Sequence, residues 1–441
     1  MNPHVLVISS SNRSNPYLSE KLIQLVQDSK SLETLLESLQ IIPKKEISNS
    51  DALSAIALYG AKEEGATLDH LSLNAPLSPE SLLEKVAQAN SIVLASPVYF
   101  GDRSSFADIF LKHVQKLNAL EGKAFSVISV GAKRNGGQET TNIYALFDAI
   151  NMGGIGHGNG PRTSQYGGTT FAADRQAALK DELGIETTLG TGRRAAQVGR
   201  ILKYASITEE INPLKVGVII TCDNLTHFIE HQTTELLKSL DTPHASYQIV
   251  NLLDYYIHPC LACSVCPAPK KVAKKEETGE NYVCAIENKI DGMKRLYHQL
   301  EGIDALIMVG ANLDNPNLED HYQVFTERTR AIRRSDFEWT NTPFTSLIFK
   351  SVNANKDRLF GLRAMTSYLR HNTLVFKPIR SLEYQGVILS SPIKDLDNFL
   401  NWATKIRTGR NLAGPTNVSY TAGGPGGYSD NQLDHTSAKR T

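Results

Sequence analysis

Four of the five cysteines in this 441-residue chain fall in one short stretch. Cys260, Cys263 and Cys266 are separated by two residues each, and Cys284 follows after 17 more. Thiolates at that spacing lie on adjacent turns and can wrap one cubane, with the fourth ligand delivered from further along. Four thiolates also suit tetrahedral zinc. Metal-free thiols are the third reading, and a disulfide is not expected in a reducing compartment. The gap before Cys284 carries the basic run PAPKKVAKKEETGENY. Loop-closure cost grows only with the logarithm of length, so the long gap is tolerable. Within that run, Lys270 to Lys275 reads as a solvated charge stretch that could also guide an acidic partner. Cys222 stands apart and reads as a small buried residue.

A second chemistry is written in three loops. Ser9-Ser10-Ser11-Asn12-Arg13-Ser14-Asn15-Pro16-Tyr17-Leu18-Ser19 lies between an apolar run, HVLVI, and the helical pattern EKLIQLVQ. A strand, a hydroxyl-rich turn and a helix start make an anion site, because backbone N–H groups and the positive helix end face the ligand. The loop has neither the Walker A glycines nor G-x-G-x-x-G, so a P-loop nucleotide and a dinucleotide both fit poorly. The second loop, Pro97-Val98-Tyr99-Phe100-Gly101, is an aromatic lip after the apolar run Ile92 to Leu94, with Ser96-Pro97 expected to break that strand. The third, Lys133-Arg134-Asn135-Gly136-Gly137-Gln138-Glu139, follows AFSVISVG, and its paired glycines suggest close approach to something flat. One loop suits phosphate and two suit a ring, so the site is that of a mononucleotide, with a flavin as natural occupant.

The elements that position these loops alternate strand and helix, which implies a parallel sheet with ligands at its carboxyl edge. The rhythm recurs later in the chain. Lys215 to Thr221, Ser246 to Leu252, Ile303 to Val309, Phe344 to Val352 and Thr373 to Ile379 read as strands. Thr226 to Leu240, Lys289 to Leu300 and Asp395 to Ile406 read as helices. The expected fold class is α/β, with two tandem domains, each a parallel sheet flanked by helices. The expected bounds are 1–205 for the first domain, 206–214 for a linker, 215–413 for the second domain and 414–441 for a disordered polar tail. The second copy has Cys222-Asp223-Asn224-Leu225-Thr226-His227 in place of the serine loop. Asp223 there would cap the helix and oppose a phosphate. In place of the aromatic lip it has Gly310 to Asn315. The glycine-dense stretch Gly153 to Gly160 is expected to replace or introduce the fifth strand of the first domain, with His157 as a solvated loop histidine.

Residues 4–205 resemble the NADPH-dependent FMN reductase family of flavodoxin-like proteins, which implies two tandem flavodoxin-like domains, with 1–205 as the FMN-binding one and the second carrying degenerate flavin loops and the cysteine cluster. The resemblance rests on SSSNRSNPYLSEKL, SPVYFG and GAKRNGGQET in that order. Ser10 departs from the family's usual glycine. The resemblance implies that Ser11, Arg13, Asn15, Tyr17 and Ser19 hold the FMN phosphate. It also implies that Pro97, Val98, Tyr99, Phe100 and Gly101, with Asn135, Gly136, Gly137 and Gln138, line the isoalloxazine. Phe325 to Arg330 resembles the helix that follows the ring loop. The cysteine run resembles the motif of the family's iron–sulfur flavoproteins, though with a longer final gap, which implies a [4Fe–4S] cluster ahead of zinc.

Lys plus Arg number 46 against 46 Asp plus Glu, so no basic field favours nucleic acid or an anionic membrane. No apolar stretch approaches the roughly 20 residues of a membrane span, and the chain enters its first strand without a signal-peptide pattern. A cytoplasmic protein is therefore expected, and the resemblance implies an FMN-dependent NAD(P)H oxidoreductase. It would pass electrons to a small-molecule or protein acceptor, through the cluster if one is present, with a homodimer left open. The alternative is a flavin-sensing or structural protein whose second domain binds a partner.

Overall fold

The computed structural model describes residues 1–76, 78–161, 164–207, 213–240, 245–263, 266, 277, 282, 284–286, 290–312, 317–335, 338–351, 360–384, 387–390 and 392–414. Most of the expected linker, the Lys270 to Lys275 run, Leu313 to Asn315 and the tail from residue 415 lie outside the described residues. The chain divides into two compact units. The first holds Met1–Thr208 with Leu374–Lys377 and Thr408–Thr416, and the second holds Glu209–Thr373 with Pro378–Arg407.

The first unit begins β1 (His4–Ser9), α1 (Ser19–Asp28), α2 (Leu32–Ile41), α3 (Asn49–Glu63), β2 (Thr67–Ser72) and α4 (Pro79–Gln88). It continues with β3 (Ser91–Pro97), α5 (Ser105–Lys116), β4 (Ala124–Gly131), α6 (Gln138–Asn151), β5 (Ile155–Gly156), β6 (Gly168–Phe171) and α7 (Glu182–Tyr204). Strands pair in parallel in the order β2-β1-β3-β4, with β5 and β6 both on β4. This is the doubly wound, flavodoxin-like order, in which the chain reverses direction across the sheet at β1 and β3. Val5 to Ile8, Ile92 to Ala95 and Val127 to Ile128 are wholly buried, as strands covered on both faces must be. The Gly153 to Gly160 stretch does introduce a short fifth strand, β5. β3 runs through Pro97, which pairs with Val130 as the last strand residue, so the proline ends the strand one step later than the sequence suggests.

One face of this sheet carries α3 and α7. α3 is buried from Ser50 to Ala61, and it starts at a capping box between Ser48 and Asp51. The two helices cross where each has a glycine. A Cβ on Gly192 would stand 1.8 Å from the Ala57 carbonyl oxygen, and one on Gly60 would stand 2.3 Å from that of Leu189. Only hydrogen at both positions allows backbone to meet backbone.

His157 is not solvated. It lies at 0% exposure just beyond β5, with Nδ1 2.8 Å from the Gly158 carbonyl oxygen. Burial, helped by the nearby Arg194 cation, lowers its pKa to about 3. The cause that the sequence hides is the cover given by α7, which carries Arg194. His70, in β2, is lowered in the same way by burial, and its Nδ1 meets the Ser19 hydroxyl at 2.9 Å.

The second unit contains β7 (Leu214–Ile220), β8 (Cys222–Asp223), α8 (Phe228–Lys238), β9 (Ala245–Asn251), α9 (Met293–Gln299), β10 (Ala305–Asn312) and β11 (Glu319–Asp320). It goes on through α10 (Tyr322–Arg328), α11 (Arg330–Ser335), β12 (Pro343–Ser351) and α12 (Phe360–Leu369). After β13 (Leu374–Val375), which belongs to the first unit and pairs antiparallel with β5, come β14 (Ile379–Tyr384), β15 (Val387–Ser390) and α13 (Ile393–Ala413). Its parallel order is β9-β7-β10-β12-β14, with β15 antiparallel on β14. The single strand expected over Thr373 to Ile379 is two strands, because Pro378 has no N–H for a ladder and restricts Lys377. α9 begins at Met293 rather than Lys289. α13 extends seven residues past Ile406 to Ala413. Among the described residues, no helix is long and apolar enough to cross a membrane.

Two outcomes follow. Gly192→Ala gains about 1 kcal/mol of helix propensity, but the collision with Ala57 must push the helices apart, so a net loss of about 2 kcal/mol is expected. A lower urea midpoint at unchanged slope reads it directly. The buried His157 is neutral in the folded protein, whereas the unfolded chain takes up a proton below about pH 6.5. Stability is therefore full above that pH and falls as pH drops from 6.5 toward 3. At pH 5 the loss from His157 is about 2 kcal/mol. Urea midpoints at pH 7 and pH 5 should differ accordingly, and by less in His157→Gln.

Candidate functional site

The serine loop is held from below by buried hydroxyls. Ser10 donates its N–H to the Ala95 carbonyl, 2.9 Å away, at the end of the neighbouring strand β3. Ser104 caps α5, accepting the Ala107 N–H at 3.3 Å, and donates its hydroxyl to the Ser10 carbonyl at 2.7 Å. The Ser104 N–H in turn reaches the Ser96 hydroxyl at 2.9 Å. One residue thus ties the first loop to the end of β3. On the other side the Ser14 and Ser48 hydroxyls lie 3.1 Å apart, and the Asn74 amide donates to the Ser14 carbonyl at 2.9 Å.

The loop shapes itself with its own side chains. Ser11, 5% exposed, accepts the Arg13 N–H at 3.1 Å. Asn15 accepts the Tyr17 N–H at 3.0 Å, a local turn of the kind short polar side chains favour. The Arg13 side chain is exposed. α1 then starts at Leu18 without a side-chain cap, so its first-turn N–H groups are left to solvent or a ligand.

The aromatic loop is a tight hairpin. Tyr99 and Asp102 exchange both backbone hydrogen bonds, at 2.8 and 3.0 Å, and the two residues between them have positive φ, 52° at Phe100 and 80° at Gly101. Those are the φ signs of a type I′ turn. Gly101 adopts them freely, but Phe100 does so at a cost of about 1–3 kcal/mol. Its ring gains nothing within the chain, being fully exposed, and Tyr99 is 52% exposed. Arg103 anchors the hairpin base through Asp108 on α5, at 2.9 Å, and Asp148 on α6, at 2.5 Å. Its pKa is raised; burial opposes the charge, and the bonds to Asp108 and Asp148 outweigh it.

The third loop closes on the second. A Cβ on Gly137, whose φ is 103°, would lie 2.6 Å from the Gly101 Cα and 3.3 Å from the Val98 Cγ1. The two ring-type loops therefore touch, backbone to backbone. Asn135 takes the left-handed conformation with φ 59°, which asparagine tolerates well. Gln138 is 4% exposed, and its amide is spent on the loop itself. It accepts the Gly136 N–H at 2.8 Å and donates to the Lys133 and Thr170 carbonyls at 2.7 and 3.2 Å. Beyond the loop, Arg134 pairs with Asp181 beside an open cavity of about 400 Å³ lined by Phe171, Ala177 and Leu183.

The residues named from sequence thus fall into two groups. Arg13, Tyr99, Phe100, Gly136 and Gly137 stand on the open carboxyl edge or form the join of its loops. Ser11, Asn15 and Gln138 spend acceptors on shaping their loops, Ser19 faces His70, and Tyr17 is 82% exposed. Ser104, Ser96, Ser48 and Arg103 were not anticipated. Ser104 had a readable signal, a serine with Asp108 inside the next helical turn. Ser48 had one too, the S-x-x-D pattern of its capping box with Asp51, whereas Arg103 depends on α5 and α6 packing side by side.

In the second unit the corresponding loop is filled from within. Asp223 is 1% exposed and accepts the Ile229 and Glu230 N–H groups of α8 at 2.9 and 3.1 Å, and the Asn251 amide at 2.7 Å. A carboxylate stands at the helix start, as the sequence suggested. His227, with φ 52°, bonds Glu230 at 2.8 Å, which raises the histidine pKa and lowers that of Glu230 against the opposing effect of burial. The Gly310 to Asn312 part of the expected lip is the end of strand β10.

The four clustered cysteines are all free thiols; Cys266 and Cys284 are buried, and Cys260 and Cys263 half-buried. No three of them gather within 4.8 Å; among the described residues the one trio of potential ligands at that spacing is Asp223, His227 and Glu230. Tetrahedral zinc with 2.3 Å bonds would need thiolates about 3.8 Å apart. A cubane places each thiolate on its own iron and accepts wider spacing. Cys222 is buried, at 3% exposure.

Comparison with known proteins agrees with this geometry. The model of the family described as NADPH-dependent FMN reductase matches residues 3–156, which span all three loops. An iron–sulfur flavoprotein of Methanocaldococcus jannaschii is 32% identical over 173 residues, 35% of this chain and 89% of that protein. One from Methanosarcina thermophila is 31% identical over 129 residues, 28% of this chain and 63% of that protein. An NAD(P)H dehydrogenase (quinone) of Trichlorobacter lovleyi is 35% identical over 86 residues, 19% of this chain and 39% of that protein. The chain belongs to the NADPH-dependent FMN reductase family of flavin-dependent oxidoreductases.

Proposed function

We propose that the protein is an FMN-dependent NAD(P)H oxidoreductase whose flavin sits on the carboxyl edge of the first unit. One observation carries the reading: Phe100, strained and fully exposed, stands on a hairpin turn whose Gly101 touches Gly137 of the third loop. Strain at a solvent-facing aromatic makes sense where a flat ring covers it. Bound FMN would supply hydride acceptance and release. The chain supplies the rest. The open helix start and Arg13 receive the phosphate, Tyr99 and Phe100 shield one side of the ring from water, and Gly136 and Gly137 let backbone approach its edge. Gln138 and Ser104 hold the loops in place rather than touch the ligand.

The second unit, on this reading, is a further flavodoxin-like domain in tandem, supported by its matching strand order. It does not take a second FMN, because Asp223 already occupies the anion position. Its cysteine loop would hold the [4Fe–4S] cluster. The donor set fits a cubane in type, and the buried Arg328 cation lies near Cys284. The acceptor is a small molecule or a protein, and five free cysteines suit a reducing, cytoplasmic setting.

Anaerobic FMN titration of the full chain, followed by quenching of flavin fluorescence, should saturate at one equivalent. Arg13→Ala removes a charge-assisted contact of about 1.5–3 kcal/mol. FMN affinity should fall at least about tenfold while riboflavin affinity stays the same. Equal losses for both ligands would place Arg13 away from the phosphate, and FMN binding without NAD(P)H oxidation would favour a flavin-sensing role.

A further inference from the structure

The long gap before Cys284 poses a geometric problem, since the chain must return to the segment that carries Cys260. A single buried guanidinium stands at the meeting point. Arg328, at the end of α10, has a side-chain exposure of 0%, and its partner Asp291 has 3%. The pair is bidentate, at 2.8 and 3.2 Å. The same guanidinium donates to the His258 carbonyl at 2.6 Å and to the Tyr282 hydroxyl at 2.8 Å. His258 lies two residues before the first clustered cysteine, and Tyr282 two residues before the last. The neighbouring Glu327 accepts the N–H of Cys260 itself at 2.7 Å. Asp291 adds the His258 N–H at 3.0 Å, and the Gly292 N–H reaches the Tyr256 carbonyl at 2.7 Å.

Two residues of extended chain span at most about 7 Å. Fixing Tyr282 and His258 on one guanidinium therefore confines Cys284 and Cys260 to the same neighbourhood, whatever path the intervening chain takes. The planar fork of arginine is suited to this task, because it offers five donors in fixed directions, and four of its bonds are made here at once. Glu327 and Arg328 are adjacent, so one turn of one helix holds both ends of the cysteine stretch.

We propose that Glu327 and Arg328 form a clasp that brings Cys284 back to Cys260 and so sets the geometry of the cysteine loop before any metal binds. The clasp rests on the reading of that loop as a metal centre only for its purpose, since the contacts themselves are made between protein groups alone. Arg328 is a positioning residue. It acts through Tyr282, His258 and Asp291, and not by ligation.

Because the proposal concerns the metal-free chain as well, two measurements separate it from the cluster assignment. Arg328→Lys keeps the charge and loses the fork. The double variant Arg328→Met with Asp291→Asn removes both charges, avoiding the uncompensated buried carboxylate that a single truncation would leave. The first measurement is the rate of iodoacetamide alkylation of Cys284 against Cys222 in chelator-treated, reduced full-length protein, read by mass spectrometry. Both variants should speed Cys284 at least about tenfold relative to Cys222, as expected when a locally closed segment opens. The second is iron and sulfide content after anaerobic reconstitution, with bound FMN as the control for an intact first unit. Iron per chain should fall several-fold in both variants while FMN is retained. Variants that protect Cys284 and load iron like the parent overturn the clasp. Faster alkylation in variants of a parent that takes up no iron keeps the clasp and overturns the cluster. Unchanged alkylation with no iron in any protein overturns both.

Discussion

Each turn from a parallel strand into a helix leaves backbone N–H groups at the helix start that need an acceptor. Both units face this demand at the same place, the first turn of the sheet, and they meet it in opposite ways. The first unit leaves α1 without a side-chain cap and surrounds it with serines that brace the loop. The second unit brings in the Asp223 carboxylate, which takes two N–H groups and the Asn251 amide. One loop is open to an anion from outside, and the other carries its own. The contrast between two sheets of the same order begins with that choice.

The first unit then adds strain where it is open. Phe100 and Asn135 both take left-handed backbone, and both belong to the loops that touch at Gly101 and Gly137. The bracing underneath is correspondingly dense. Ser104 serves one helix cap and two strands, Arg103 meets two carboxylates, and Gln138 satisfies three backbone groups of its loop and its neighbour. A site held this way keeps its shape without the ligand, which reduces what binding must spend on ordering loops.

Much of this was legible from residue order. The strand-loop-helix rhythm located β1, β3 and β4 with the helices α1 and α6, and β7, β9, β10 and β12 with α8 and α13, since buried strands and amphipathic helices carry their period in local sequence, whereas β2, α3, α5 and the long α7 went unread. SPVYFG marked the hairpin, and Asp223 announced its own role by standing just before a helix. What was not legible depends on distant chain. The bond from Ser104 to Ser10 exists only once the sheet brings β1 beside β3, and the contact between Ser14 and Ser48 only once α3 packs beside the serine loop. His157 reads as a loop histidine among glycines and becomes buried once α7 covers it. Gln138 has the type of a ligand contact but is turned inward by the carbonyls of Lys133 and Thr170. The stretch from Thr373 to Ile379 was misjudged for a local reason, the missing N–H of Pro378, which the apolar pattern around it concealed.

The internal carboxylate at Asp223 also decides how the two halves of the chain respond to their surroundings. A loop that completes its own hydrogen bonds has the same stability whether or not a cofactor is at hand. A loop that waits for an outside anion gains stability in proportion to the logarithm of the free ligand concentration once binding is saturating. With FMN bound as proposed, the second half is set by sequence alone, whereas the robustness of the first follows the flavin supply of the cell. In flavin shortage the chain would keep one half firm and hold the other as the part open to proteolysis, so that the abundance of the protein itself reports on its cofactor.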